Sequence, residues 1–230
     1  MLKIYDRTGL PNPARIRIVL AEKGLEDSVT FESVDIIAAE HRSDAFLAMN
    51  PGGTIPVLEL EDGTHIGECT AITEYLDNLD GDPRLTGRTP REKALIHMMQ
   101  RRAEAEVLDP IGIFFHHATP GLGTANLPFK SPEWAGRAEW GQRNRDRALR
   151  GLAYFDGVLK DRPFLAGDRH SMADITLYAG LLFGAPVGIG IAADQGHLQA
   201  WRDRFEALPA VKNRGGQEWR LEDLKRLGLA

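Results

Sequence analysis

Apolar residues change their spacing along this chain, and the change divides it in two. From Leu2 to Asp6 they read as a short strand, and Pro11-Asn12-Pro13 follows. Asn12 suits a helix N-cap, Pro13 suits the first helical turn, and Gly24 suits a stop about three turns later. A second strand is predicted over 29–35 and a second helix over 43–49. Strands over 56–60 and 64–66 flank Glu61-Asp62-Gly63, a tight-turn signal. A further helix begins near Glu68 and ends before Asp80. Residues 1–80 therefore read β-α-β-α-β-β-α, an α/β pattern of one mixed sheet with helices packed on it.

Beyond Gly81-Asp82-Pro83 a linker-like stretch, 81–90, ends at Pro90, and no alternating strand pattern follows. Residues 91–230 read as all-α. Leu95, Ile96, Met99, Ala103, Val107 and Phe114 fall near helical spacing over 91–117, where Pro110 and Gly112 can bend or interrupt the helix. A second long helix is predicted over 133–160. A third runs from Ser171 to about Leu182, with Ser171 capping the backbone near Asp174 and the acid bonding back. Short helices near 197–208 and 218–226 finish the chain.

Composition narrows the function. The chain has 230 residues, 43% of them apolar, enough for two domains each with a core. Its net charge is −5 and its charges are interspersed, with no basic patch interleaved with aromatics, so nucleic acid is not an expected partner. No apolar run reaches membrane-spanning length, the first residues do not form a signal peptide, and a single cysteine makes no internal disulfide. The expectation is a cytoplasmic protein without membrane contact. Seven histidines and one cysteine show no recognised ligand spacing, so no metal is expected. The glycine-rich run 180–190 lacks the Lys-Ser/Thr and the preceding strand of a phosphate loop.

Two stretches, "NPGGTIPVLELEDGTHIGECTAITEYLD" and "RPFLAGDRHSMADITLYAG", in that order and separated by a helical segment, resemble the cytosolic glutathione transferases. The likeness runs over essentially the whole chain. It implies a thioredoxin-like domain over 1–80, the linker 81–90, a helical domain over 91–230 carrying an electrophile pocket, and a homodimer. The expected activity is attack of the glutathione thiol on a hydrophobic electrophile. Peroxidase, isomerase or dehalogenase chemistry with the same thiolate is an alternative, and so is a non-catalytic adaptor, because one fold hosts several functions.

For the peptide, the resemblance implies that Thr54, Ile55 and Pro56 pair with the cysteinyl backbone, with Ile55-Pro56 cis; otherwise Pro56 is an ordinary edge-strand proline. Glu68 and Cys69 stand where a helix N-terminus attracts the γ-glutamyl carboxylate, Glu68 facing the ammonium. Cys69 replaces the usual serine and donates more weakly; it reads as a small neighbour of the peptide or as a nucleophile. His41 and Arg42 lie in the stretch that supplies a cation for the glycyl carboxylate, or form a solvated charge pair.

The thiol must be deprotonated, and here the pattern departs from the family. Leu10 stands at the usual serine or cysteine position, and Tyr5 points to the opposite face of its strand, toward the core. One branch of the family, known from a yeast transferase and bacterial relatives, also lacks those residues. Its likeness to "ECTAITEYLD" and "LDPIGIFFHHATPGLG" implies a water held by a histidine, His116, and a serine whose place Gly112 occupies. His116 then holds the water alone or with Thr119, or is merely a packed helix end. Free N–H groups around Asn12 to Ala14 assist the thiolate. Leu10, Phe115, His117 and Thr119 are expected to border the electrophile, with Phe114, Leu181, Phe183, Val187 and the loop 121–129 nearby.

Overall fold

A computed structural model describes residues 1–130 and 133–228. Its N-terminal part contains strand β1 (Leu2–Asp6), helix α1 (Pro11–Lys23), β2 (Val29–Ser33), α2 (Asp44–Met49), β3 (Val57–Glu59), β4 (His65–Ile66) and α3 (Cys69–Asn78). The strands form one mixed sheet in the order β2-β1-β3-β4, with β1 parallel to β2 and antiparallel to β3. This is the mixed sheet that the β-α-β-α-β-β-α pattern predicts, in the thioredoxin-like arrangement that the family resemblance implies. Ile4 faces Leu58 across the β1–β3 ladder and Tyr5 faces Val57, so the two pairs point to opposite sides. Ile4 and Leu58 join the large core with Ile16, Leu20, Ile72 and Leu76. Val57 joins a second cluster with Leu10, Ile36 and Phe46, against which Tyr5 packs while its hydroxyl donates to Glu59.

Helix α1 starts two residues earlier than expected. Its N-cap is Leu10, which offers no side-chain bond, and Pro11 opens the first turn, so Asn12 is not the cap. Proline needs no N–H partner in a first turn, and both prolines are accommodated there. Gly24 ends the helix in the left-handed conformation, as predicted. Helix α2 is capped by Ser43, whose oxygen accepts from the Phe46 N–H at 3.3 Å.

The stretch 81–90 is held rather than loose. Asp77, fully buried, accepts from the backbone N–H groups of Arg84, Leu85 and Thr86 and from the Thr86 hydroxyl. Thr89 and Glu92 then form a capping box that opens α4 (Pro90–Ala103).

The predicted long helix is three pieces: α4, a π-helical turn over Glu104–Leu108, and α5 (Asp109–Ala118). Helix α6 (Arg137–Val158) crosses the π turn, where a Cβ on Gly151 would stand 2.2 Å from the Glu106 carbonyl oxygen. Only glycine permits that approach. Pro110 lies inside a continuous helical run and has no N–H for the Glu106 carbonyl; the π turn just before it accommodates that loss, and Gly112 lies inside α5. Helices α7 (Met172–Gly184), α8 (Gly196–Glu206), α9 (Pro209–Lys212) and α10 (Leu221–Arg226) complete the helical part. Apolar residues of both parts belong to one core cluster, which includes Ile16 and Ile72 of the first and Met99, Ile111 and Leu177 of the second.

Candidate functional site

Between the two parts lies a cavity of about 670 Å³. One wall is the α1 N-terminus with Leu10 and Asn12, the turn before α2 with His41 and Arg42, and the segment Gly53 to Ile55. The opposite wall is the end of α5, with Phe115, His116, His117 and Thr119, backed by Leu182 and Phe183 of α7. The structure thus brings most of the expected residues to one place. Pro56, Glu68 and Cys69 are not among the walls.

The bond between Ile55 and Pro56 is cis, and the β1–β3 ladder stops at Val57, so the backbone of Ile55 lies past the last paired residue. The Asn50 amide shapes this segment by donating to the Thr54 carbonyl at 2.9 Å and to its hydroxyl at 3.1 Å. An extended peptide can add to such an unpaired edge. Glu68 precedes α3 at φ 62°, in the left-handed region that a non-glycine residue seldom adopts, and its side chain is exposed. Strain of this kind concentrates where chain geometry serves a site.

Cys69 is not a reactive thiol. It is buried, its Sγ contacts the Asn12 carbonyl oxygen at 3.5 Å, and burial pushes its pKa up to about 11. The side chain therefore ties the start of α3 to the start of α1. At α1 the donors are fewer than expected. Pro11 and Pro13 carry no N–H and Ala14 donates to Leu10, so the Asn12 N–H is what remains of the first turn.

His41 is buried and its imidazole is pushed down to about 4, first by burial and then by the Arg42 guanidinium. It is therefore a neutral ring at neutral pH, and the positive charge expected of this pair resides on Arg42. His116 is also pushed down to about 4, first by burial, then by the Lys130 ammonium, with His117, Arg42 and His41 following as groups that repel a proton on it. A neutral imidazole keeps a lone pair for a proton. Thr119 does not share that task, because its hydroxyl donates to the Phe115 carbonyl at 2.5 Å and accepts from the Gly121 N–H. Gly112 has room for a side chain, a Cβ there meeting only Phe183 at 3.4 Å.

The depressed His116 pKa has a sign that can be tested. Its folded-state pKa lies below the unfolded value of 6.5, so its stabilising contribution is complete above that value and is lost as pH falls toward 4. Between about pH 7 and about pH 5 the ligand-free protein should lose roughly 2 kcal/mol through this group. Urea unfolding at the two pH values, for the parent and His116→Phe, checks it: the variant should show a smaller loss.

Asn126 lines the cavity within the loop 121–129 that the sequence places there, whereas Lys130, Trp219 and Leu227, which also line it, are not singled out by the sequence. Asn126 reaches across to donate to the Ile36 carbonyl at 2.9 Å. Trp219 arrives because the chain after α9 folds back on the β1–α1 turn, where the Gly9 N–H donates to Gly216 and the buried Arg7 and Asp223 pair. Gly9 allows this approach, since a Cβ on it would lie 2.7 Å from the Trp219 backbone. No spacing pattern announces such a return.

The glutathione S-transferase N-terminal domain family matches residues 11–79, and the C-terminal domain family of the same enzymes matches residues 119–209. Glutathione S-transferase 2 of Saccharomyces cerevisiae is 54% identical over 209 residues, covering 91% of this chain and 87% of that protein. This chain belongs to the glutathione transferase family. The crystal structure of Gtt2 from Saccharomyces cerevisiae superposes with a TM-score of 0.87 at 53% identity, over 92% of this chain and 99% of that one. A glutathione S-transferase domain-containing protein from Marinobacter aquaeolei VT8 gives 0.85 at 48% identity, over 91% and 99%. The yeast-type branch suggested by the sequence is thus the one these transferases occupy. Among the described residues no helix is long and apolar enough to cross a membrane, and no three His, Cys, Asp or Glu side chains cluster as metal ligands would.

Proposed function

We propose that the cavity binds glutathione and converts its thiol to a thiolate that attacks a hydrophobic electrophile lodged against α5 and α7. The observation that carries this reading is one cavity joining the unpaired Ile55 edge and the α1 N-terminus to a neutral His116. The Ile55 backbone pairs with the cysteinyl unit. The first N–H groups of α3 take the γ-glutamyl carboxylate, and Glu68 takes the ammonium. Arg42, with an N–H of His41, takes the glycyl carboxylate. The sulfur then lies between Leu10, the Asn12 N–H and His116, which accepts the thiol proton directly or through a water. Leu10, Phe115 and His117 border the electrophile.

Titration calorimetry with glutathione followed by turnover of chlorodinitrobenzene tests this reading. Micromolar to millimolar binding with turnover is expected, and absence of binding overturns it. The adaptor reading has one observation in its favour, the loss of first-turn donors to Pro11 and Pro13, and it predicts binding without turnover. Leu10→Ser addresses this directly. A hydroxyl at the uncapped α1 start should lower the pKa of the bound thiol and raise turnover at mildly acid pH, read by a pH–rate profile against the parent.

The family resemblance supports a homodimer, and the single buried thiol suits a reducing, cytoplasmic setting. Sedimentation of the purified protein checks the assembly.

A further inference from the structure

The cavity has a charge pattern that glutathione alone does not use. Its walls carry the cations Arg42 and Lys130 beside the imidazoles of His41, His116 and His117, and among the described residues that line it none is an aspartate or glutamate. This stands out in a chain whose net charge is −5. Under the reading above, glutathione brings two carboxylates and one ammonium. The α3 N-terminus and Glu68 serve the γ-glutamyl end, and Arg42 with His41 serves the glycyl end. Lys130 is left over.

Lys130 lies on the helical wall, after the loop that ends at Phe129. Its Nζ contacts the Pro120 carbonyl at 3.4 Å and stands 2.9 Å from where a Cβ on Gly121 would be, beside the backbone of His116. No carboxylate pairs with it among the described residues. Its neighbours share its sign, so that burial and then Arg137 lower the Lys130 pKa below its ordinary value, and the Arg42 guanidinium lies 5.6 Å from the Phe129 ring; an anion in the cavity relieves that repulsion. Next to this cation is an apolar wall, in which Phe115 meets Phe183 edge-on at 5.2 Å and Leu182 and Val187 continue the surface. An ammonium held at the edge of an apolar, partly desolvated wall is worth more to an anion than one in open solvent.

We infer that the second substrate is an amphipathic anion, an aromatic or aliphatic electrophile bearing a carboxylate or similar acid group, and that Lys130 pairs with that group while the apolar part lies on Phe115 and Phe183. The inference rests on the transferase reading of the same cavity and adds the substrate class to it.

Two chloroarenes test this: neutral chlorodinitrobenzene and the carboxylated chlorodinitrobenzoate. In both, the thiolate electron pair forms the carbon–sulfur bond and chloride departs with the carbon–chlorine pair, so the carboxylate is a spectator that only Lys130 reads. The quantity measured is the ratio of kcat/KM for the benzoate to that for the neutral arene. Lys130→Gln should lower this ratio about tenfold, and Lys130→Arg should hold it within about twofold of the parent. An unchanged ratio in Lys130→Gln overturns the inference, including the case in which both substrates slow equally because Lys130 serves only the thiolate. The two glutathione conjugates, made chemically, are titrated into the same proteins by calorimetry. A Lys130-dependent preference for the carboxylated conjugate without any turnover would keep the inference and sink the transferase reading. Turnover without that preference would do the reverse.

Discussion

His116→Ala is expected to lower kcat for chlorodinitrobenzene about a hundredfold while shifting the glutathione dissociation constant no more than about threefold. The reason lies in what else can help the sulfur. Leu10 donates nothing, Cys69 is buried against Asn12, the Thr119 hydroxyl is committed to Phe115, and two prolines reduce the α1 first turn to the Asn12 N–H. His41 and His117 also present imidazoles to the cavity, and in the proposed pose His116 is the one set beside the sulfur. Its pKa near 4 keeps it neutral through the physiological range, so the rate it supplies should persist from neutral pH down to mild acidity. A thiolate beside it would raise that value toward the ordinary one, which makes it a better proton acceptor in the complex than in the empty protein. Stopped-flow and steady-state rates across pH check both parts. A variant with kcat within threefold of the parent would move the whole activation to the α1 backbone.

Asp174→Ala should cost about 3–5 kcal/mol of stability, the largest effect expected of a single substitution outside the site. Its carboxylate is fully buried and accepts from the Leu165 N–H at 3.0 Å, the Ser171 N–H at 2.9 Å, the Ser171 hydroxyl at 3.1 Å and the Trp201 indole at 2.9 Å. Burial raises its pKa, and those donors oppose the rise. Removing the acid leaves several buried donors without an acceptor in the centre of the helical part, where Trp201 stacks on Phe205. The milder Asp174→Asn keeps an acceptor oxygen and should lose about half as much. Urea unfolding measures both, and a loss below about 1 kcal/mol for alanine would show that the network merely fills space.

How much of this was readable in the chain depends on the range of the interaction. The capping box at Ser171 and Asp174 lies within four residues and was legible, as were the Gly24 stop and the Ser43 start of α2. The acid's bonds to Leu165 and Trp201 were not, because they depend on the segment before α7 folding back over its start and on α8 reaching the same acid. Sequence placed Asn12 at the N-cap because it is the better capping residue; two prolines that need no N–H let the helix begin at Pro11 instead. The π turn at Glu104–Leu108 ends just before Pro110, which the sequence marks as an interruption, while the crossing of α6 that sets Gly151 against the Glu106 carbonyl was not legible. In the cavity, Asn12, Thr54, Ile55 and His116 belong to motifs that resemble a known family and could be named in advance. Lys130 and Trp219 lie in loops without periodicity and reach the cavity only through tertiary contacts. Charge, too, was misjudged locally: His41 looked like a cation until its burial beside Arg42 was known.

The central claim is that bound glutathione becomes a thiolate in this cavity. The most direct measurement is the ultraviolet thiolate absorbance of glutathione bound to the parent protein, followed from about pH 5 to about pH 9 at saturating ligand, with free glutathione as reference. The account predicts a bound thiol pKa well below that of free glutathione, and loss of most of that shift in His116→Ala with affinity retained. Saturated binding with the thiol pKa of free glutathione would contradict it.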